Sequence, residues 1–207
     1  MISATIVTFL QRAVCQGVPL LYGATGEILT EKSGNLNLGI PGIMYIGSIS
    51  GVIGAFFYEQ SLSSPSAINP VLAILIPVLC SLAGSLIAGL IYCFLTVTLR
   101  ANQNVTGLAI TTFGVGFGNF FGGSLIKLTG SAVPSVALTN TSSYFKTSLP
   151  FADSFGAFGK IFLSYGFLVY LAIIIAVVCA VFLKRSRAGL HLRAVGENPA
   201  TADAAGI

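Results

Sequence analysis

The chain has little charge and little of the chemistry that catalytic sites need. Only 8% of its 207 residues are Asp, Glu, Lys or Arg, whereas ordinary soluble domains carry about 25%. A surface this poor in charge excludes a water-soluble domain and indicates a protein whose solvent is a lipid bilayer. The sequence has one histidine, His191, and neither an HExxH nor a CxxC motif. A membrane-embedded enzyme is therefore the weakest of the alternatives.

Metal and nucleotide sites are also missing from the sequence. The four cysteines lie inside apolar runs, and no pair has metal-ligand spacing, so we predict free thiols and no metal site. The chain lacks a glycine-rich loop ending in Lys-Ser or Lys-Thr, the Walker A motif. We therefore expect no cofactor on this chain, and ATP, if it is the energy source, must bind to another polypeptide.

What the chain does contain is five long apolar segments. They lie near residues 2–26, 41–58, 70–99, 105–126 and 161–183, and about 20 such residues suffice to cross a bilayer as a helix. We predict an all-α fold, a polytopic transmembrane helix bundle that forms a single domain over residues 1–207.

The basic residues predict how the bundle is oriented. Four of the ten Lys and Arg residues lie between Lys184 and Arg193, directly after the fifth apolar segment. Basic residues concentrate on the cytoplasmic side of membrane proteins, so we predict a multi-pass cell-membrane protein with residues 184–207 in the cytoplasm. Five crossings then place the N-terminus and the loop 127–160 outside. The same clustering explains the net charge of +4 without a nucleic-acid partner.

The last segment predicts a short helix on a basic loop. Asn198-Pro199 is a favourable helix start, because Asn accepts a hydrogen bond from the first turn and Pro gives up a donor that has no partner there. Alanines follow at positions 200, 202, 204 and 205 and favour helix. A short helix with small side chains, Pro199 to Ile207, suits docking into a groove on a partner protein.

Two stretches carry a family resemblance. One is Gly189-Leu-His-Leu-Arg193-Ala-Val-Gly196-Glu197-Asn198-Pro199, followed by Ala204-Ala205-Gly206-Ile207. The other is Gly26-Glu27-Ile-Leu-Thr-Glu31-Lys32-Ser-Gly34-Asn35-Leu-Asn37-Leu-Gly39-Ile-Pro41-Gly42-Ile-Met44. The first resembles the coupling loop of ABC-transporter permeases of the branched-chain amino acid/simple sugar permease family, and both are closest to its nucleoside-type members. Because such permeases continue with further spans, we expect this chain to be the N-terminal part of one.

The resemblance implies a permease subunit of an ABC importer. Its expected partners are ABC ATPase subunits that bind ATP and Mg, a second permease subunit, an external substrate-binding lipoprotein and the lipid bilayer. The expected substrate is a nucleoside, with simple sugars or branched-chain amino acids as the alternative. The residues expected to couple the chain to the ATPase are Gly189, Arg193, Gly196, Glu197, Asn198, Pro199, Ala200, Ala204 and Gly206.

A second group of residues is a candidate substrate pathway. Asn35, Asn37 and Gly39 lie in an irregular stretch before the second span, and Thr112 and Asn119 share one face of the fourth. Irregular backbone at membrane depth lines a cavity or is buried in protein, so these residues either contact substrate or cap and bond neighbouring helices. A secondary transporter or channel without an ATPase is the alternative of another class. Arg12, Glu27, Thr112 and Asn119 would be its working groups.

Overall fold

The computed structural model describes residues 2–62, 68–129, 138–147 and 156–207. Throughout these ranges the ordered elements are helices, which confirms the predicted all-α fold. In chain order the α-helices are α1 (Ile2–Lys32), α2 (Ile40–Gln60), α3 (Pro70–Cys93), α4 (Gln103–Thr129), α5 (Thr139–Phe145), α6 (Gly156–Phe162), α7 (Phe167–Arg185), α8 (Arg187–Glu197) and α9 (Pro199–Ala204), with a π-helical turn, Phe94–Thr98, after α3.

Four of the described helices are long and apolar enough to cross a membrane. They are Ile40–Gln60, Pro70–Thr98, Gln103–Lys127 and Phe167–Arg185. The predicted first span corresponds to α1, which has 31 residues, but Gln11, Arg12 and Gln16 interrupt its apolar run. Large apolar side chains on these helices are exposed, as expected for surfaces that face lipid or other membrane helices. The chain is a multi-pass membrane protein.

The polar segment predicted over residues 127–160 contains more helix than expected. Helix α4 continues to Thr129, and α5 and α6 lie within the segment. The last long helix begins at Phe167, not at the predicted residue 161, because the short helix α6 precedes it. Residues 130–137 and 148–155 of the predicted loop lie outside the described residues.

The chain divides into two compact units, and one of them comprises residues 37–144. Its centre is α2, which packs against both α3 and α4. Helix α2 approaches α4 through Gly42 and Gly114: a Cβ built on Gly114 would lie 2.7 Å from the Cα of Gly42. Small residues at helix interfaces allow backbones to come this close.

The other unit comprises residues 1–36 and 145–207. In it α1 packs against α6, α7 and α8. The Tyr22 hydroxyl donates a hydrogen bond of 2.7 Å to the carbonyl of Leu168 at the start of α7. Gln11 Nε2 donates one of 2.7 Å to the carbonyl of Lys160 in α6. Both bonds join α1 to the helices that precede α8 in this unit.

Candidate functional site

The basic segment after α7 is a helix, not the loop that we predicted. Ser186 has an extended backbone and caps α8, since its Oγ accepts a hydrogen bond of 2.9 Å from the amide of Gly189. Ser is a favoured residue at this position because it satisfies an amide that has no partner within the helix. The prediction of a loop overlooked Ser186, which is the local signal that could have revealed α8.

Helix α9 starts where the sequence predicts. Asn198 has an extended backbone, its Oδ1 accepts a hydrogen bond of 3.1 Å from the amide of Thr201, and Pro199 is the first helical residue. The amide of Asn198 donates to the carbonyl of Ala194, so the same residue ends α8. Helix α9 stops at Ala204, shorter than the predicted Pro199–Ile207, and Gly206 follows with a φ of +76°. Asn198 is therefore the corner between two helices.

The nine predicted coupling residues divide into two groups by exposure. The larger group is exposed and surrounds the corner between α8 and α9: Glu197, Asn198, Pro199, Ala200, Ala204 and Gly206. In α9, Ala202 is 4% exposed, and α9 packs against α8. Because these side chains are exposed, a partner protein can contact them.

The remaining three residues, Gly189, Arg193 and Gly196, face inward along one side of α8. They are spaced by four and three residues, which places them on one helix face. A Cβ on Gly189 would lie 2.8 Å from the Cα of Leu183 in α7. A Cβ on Gly196 would collide with the carbonyl oxygen of Lys32 at the end of α1. The glycines allow α8 to contact two helix ends.

Arg193 lies between these two glycine contacts. Its Nε is buried and has no hydrogen-bond acceptor among the described residues. The exposed cations near the start of α8 are Lys184, Arg185 and Arg187. Residues 184–197 thus have a basic outer surface at their start and a buried guanidinium nitrogen on the inner side of α8.

The turn before α2 is held by internal hydrogen bonds. Asn37 is 6% exposed, and its Oδ1 accepts a hydrogen bond of 2.9 Å from the amide of Gly39. Thr111 Oγ1 in α4 donates one of 2.8 Å to the carbonyl of Leu38. Gly39 is buried. Asn35, in the other compact unit, is half-buried, and its amide donates to the carbonyl of Thr30.

The two polar residues singled out on α4 are both exposed, but only Asn119 bonds to another helix. Thr112 Oγ1 bonds to the carbonyl of Leu108 in its own helix at 3.0 Å. Asn119 Oδ1 accepts a long hydrogen bond of 3.4 Å from the Tyr45 hydroxyl in α2. Thr111 and Tyr45 are not among the residues predicted from the sequence. Thr111 is adjacent to Thr112, and the step of one residue around the helix moves the hydroxyl to the side that contacts α2.

A cavity of about 630 Å³ lies among α2, α3 and α4. Apolar side chains line most of it, among them Ile87, Ile91 and Phe113, and the polar lining residues are Ser50 and Thr106. The Ser50 hydroxyl is already bonded to the carbonyl of Ile46 at 2.8 Å. None of the predicted pathway residues lines this cavity. Its chemistry suits apolar groups, since a polar solute would lose its hydrogen bonds to water there without replacement.

Comparison with known proteins finds a permease family and relatives that are named as ABC transporter permeases. A family model described as branched-chain amino acid transport system/permease component matches residues 9–207. The guanosine ABC transporter permease protein NupQ of Bacillus subtilis is 30% identical over 190 residues, which are 91% of this chain and 56% of the relative. The nucleoside ABC transporter permease protein NupC of Lactococcus lactis is 29% identical over 98% of this chain and 60% of the relative.

A third relative is named for a different class of substrate, a sugar. The Haloferax volcanii protein TsgC13, provisionally named a glucose ABC transporter permease, is 29% identical over 91% of this chain and 51% of the relative. The chain spans about half to three-fifths of the length of the curated relatives that it matches. No solved structure is similar at a significant level.

Proposed function

Because the chain belongs to the family described as branched-chain amino acid transport system/permease component, we propose that it is part of the membrane permease of an ABC importer. The observation that carries the proposal is the exposed corner between α8 and α9. Helix α8 follows the apolar helix α7 after a single residue, Ser186, and Asn198 at the corner caps α9. An exposed, capped helix close to the end of a membrane span is suited to receive a movement from a partner and pass it to the membrane helices.

The partner in this proposal is an ATPase subunit that binds ATP and Mg. The sequence has no Walker A motif, so hydrolysis is assigned to another chain. Glu197 and Asn198 would contact the partner's groove through their polar groups, while the small side chains of Ala200 and Ala204 would let the helix lie close to it. In the proposed importer, α8 and α9 lie on the cytoplasmic side of the membrane. A second permease subunit and an external substrate-binding lipoprotein complete the proposed importer.

We infer a nucleoside as the substrate. Two of the relatives carry nucleoside names, one guanosine and one nucleoside, and a glucose-type relative makes a simple sugar the alternative. The mechanism is alternating access, in which ATP-driven closure of the ATPase subunits moves α9 and the membrane helices open to one side at a time. Asn35, Asn37, Gly39, Thr112 and Asn119 remain candidates for the pathway, but hydrogen bonds within the chain engage Asn37, Thr112 and Asn119.

The test is purification of the full protein from its native membranes in mild detergent, followed by reconstitution into vesicles. We expect an ATP-hydrolysing subunit to co-purify, and ATP to drive accumulation of guanosine but not of glucose or leucine. Accumulation of glucose alone would make a simple sugar the substrate in place of a nucleoside, and the importer proposal would stand. Transport down a gradient without any co-purified ATPase would instead support the alternative of a secondary transporter or channel.

A further inference from the structure

The end of α1 forms a tight, ordered turn. The amide of Asn35 donates to the carbonyl of Thr30 and the amide of Gly34 to that of Glu31, both at 3.0 Å. Gly34 has a φ of +88°. This combination is the Schellman arrangement, in which a residue in the left-handed region reverses the chain and satisfies the last carbonyls of the helix. The turn therefore presents a well-defined backbone surface.

Gly196 lies directly against this turn. A Cβ on Gly196 would collide with the Lys32 carbonyl oxygen and would lie 2.8 Å from the amide nitrogen of Gly34. In the reverse direction, a Cβ on Gly34 would lie 3.2 Å from the Cα of Gly196. The contact is therefore backbone against backbone on both sides. Such a contact cannot yield by a change of side-chain rotamer, as a contact through a long flexible side chain can.

The position of Gly196 allows this contact to transmit a movement of α9 to α1. Gly196 precedes Glu197 and Asn198, the start of the exposed corner, while Gly189 at the other end of α8 contacts the last turn of α7. A force on α9 therefore reaches α7 through the chain itself. It can also reach α1, which is distant in sequence, through Gly196. Closely packed backbone has little room to yield and therefore transmits displacement.

We propose that the contact between Gly196 and the turn Lys32–Gly34 is a joint that passes the movement of the coupling segment to α1. The inference rests on the proposed function, since it requires an ATPase that moves α9. Gly34 and Gly196 are positioning residues in this proposal: they contact neither substrate nor nucleotide. The sequence predicts Gly196 as part of the surface for the ATPase, whereas in the joint it contacts the end of α1.

The variant Gly196→Ala tests the joint in the assembled transporter, with Gly17→Ala as the matched control. Both glycines are helical, and Ala favours helix over Gly, so local helix formation should not suffer in either variant. A Cβ on Gly17 has no heavy atom within 4 Å among the described residues. We expect Gly196→Ala to retain its ATPase subunit and its hydrolysis rate, while uptake per ATP hydrolysed falls about tenfold, a typical size of coupling between sites.

Hydrogen exchange on the unaltered transporter gives a second measurement that does not depend on a variant folding. A non-hydrolysable ATP analogue should change exchange both in residues 187–198 and in the α1 turn, residues 30–35. The amides of Ser33, Gly34 and Asn35 each have a defined acceptor, at 3.0–3.1 Å, so their exchange reports on the turn. A response in residues 187–198 without one in residues 30–35 would overturn the joint.

The outcomes separate the joint from the proposed function. Normal uptake per ATP in Gly196→Ala, with the ATPase subunit still bound, refutes the joint and leaves the importer intact. Absence of an ATPase subunit from the unaltered protein refutes the importer and the joint with it. A drop in uptake per ATP in Gly17→Ala equal to that in Gly196→Ala would also count against the joint, because a distant glycine without contacts would then be equally sensitive.

Discussion

Replacing Asn198 by alanine removes the side-chain acceptor at the start of α9. The lost interaction is the 3.1 Å hydrogen bond from the amide of Thr201 to Asn198 Oδ1. Removal of such a cap costs about 1 kcal/mol, and α9 has only six residues, too few for an independently stable helix. One kcal/mol is roughly a factor of five in an equilibrium between ordered and disordered states. We therefore expect the disordered fraction of α9 to rise about fivefold.

Two assays measure this effect. Hydrogen exchange in residues 199–207 should accelerate about fivefold in Asn198→Ala, while α8 keeps its C-terminal bond, since that bond uses the backbone amide of Asn198 and the carbonyl of Ala194. Uptake by the reconstituted transporter should fall by up to the same factor. The control is Asn198→Asp, which retains an acceptor and ranks with Asn as a cap, so it should behave like the unaltered protein in both assays.

Three results would contradict this reasoning in different ways. Unchanged exchange in Asn198→Ala would mean that the cap does not order α9. Faster exchange with normal uptake would mean that the fraction of α9 that stays ordered without the cap is sufficient for coupling. Equal loss of uptake in the Asp and Ala variants, with normal exchange in the Asp variant, would mean that the Asn198 amide itself contacts the partner.

Three further changes test the packing of residues 37–144. Gly42→Ala should destabilise the protein by about 1–3 kcal/mol, the usual cost of overpacking, because its Cβ would meet the backbone of α4. The control Gly116→Ala should not lower the unfolding midpoint, because a Cβ there has no neighbour within 4 Å among the described residues. A double-mutant cycle of Tyr45→Phe and Asn119→Ala should give no more than about 0.6 kcal/mol, the average for hydrogen bonds between membrane helices, since the bond is long at 3.4 Å. Glu59→Ala should accelerate exchange in α5, whose first turn donates a 2.7 Å hydrogen bond to Glu59 Oε1, and Glu59→Gln should do so less.

Local sequence determined the membrane class, the all-α fold and several helix starts. Apolar runs of about 20 residues have few alternatives to membrane helices. Caps act on the adjacent turn, so Asn198-Pro199 begins a helix as predicted, and Asn69-Pro70 begins another in the same way. The family resemblance was also contained in short contiguous stretches. All of these features depend on neighbours within a few residues along the chain, and a single sequence displays such neighbours directly.

Tertiary structure decided which face of each helix carries a role. Gly196 and Glu197 are adjacent in sequence, yet one contacts the end of α1 and the other is exposed. Thr111 bonds to the turn before α2, whereas Thr112 bonds only within its own helix. One residue is about 100° of rotation on a helix, and which direction faces a neighbour is set by segments far away in sequence. The contact of Gly196 with Lys32–Gly34 follows from packing over this distance, for which no local pattern exists.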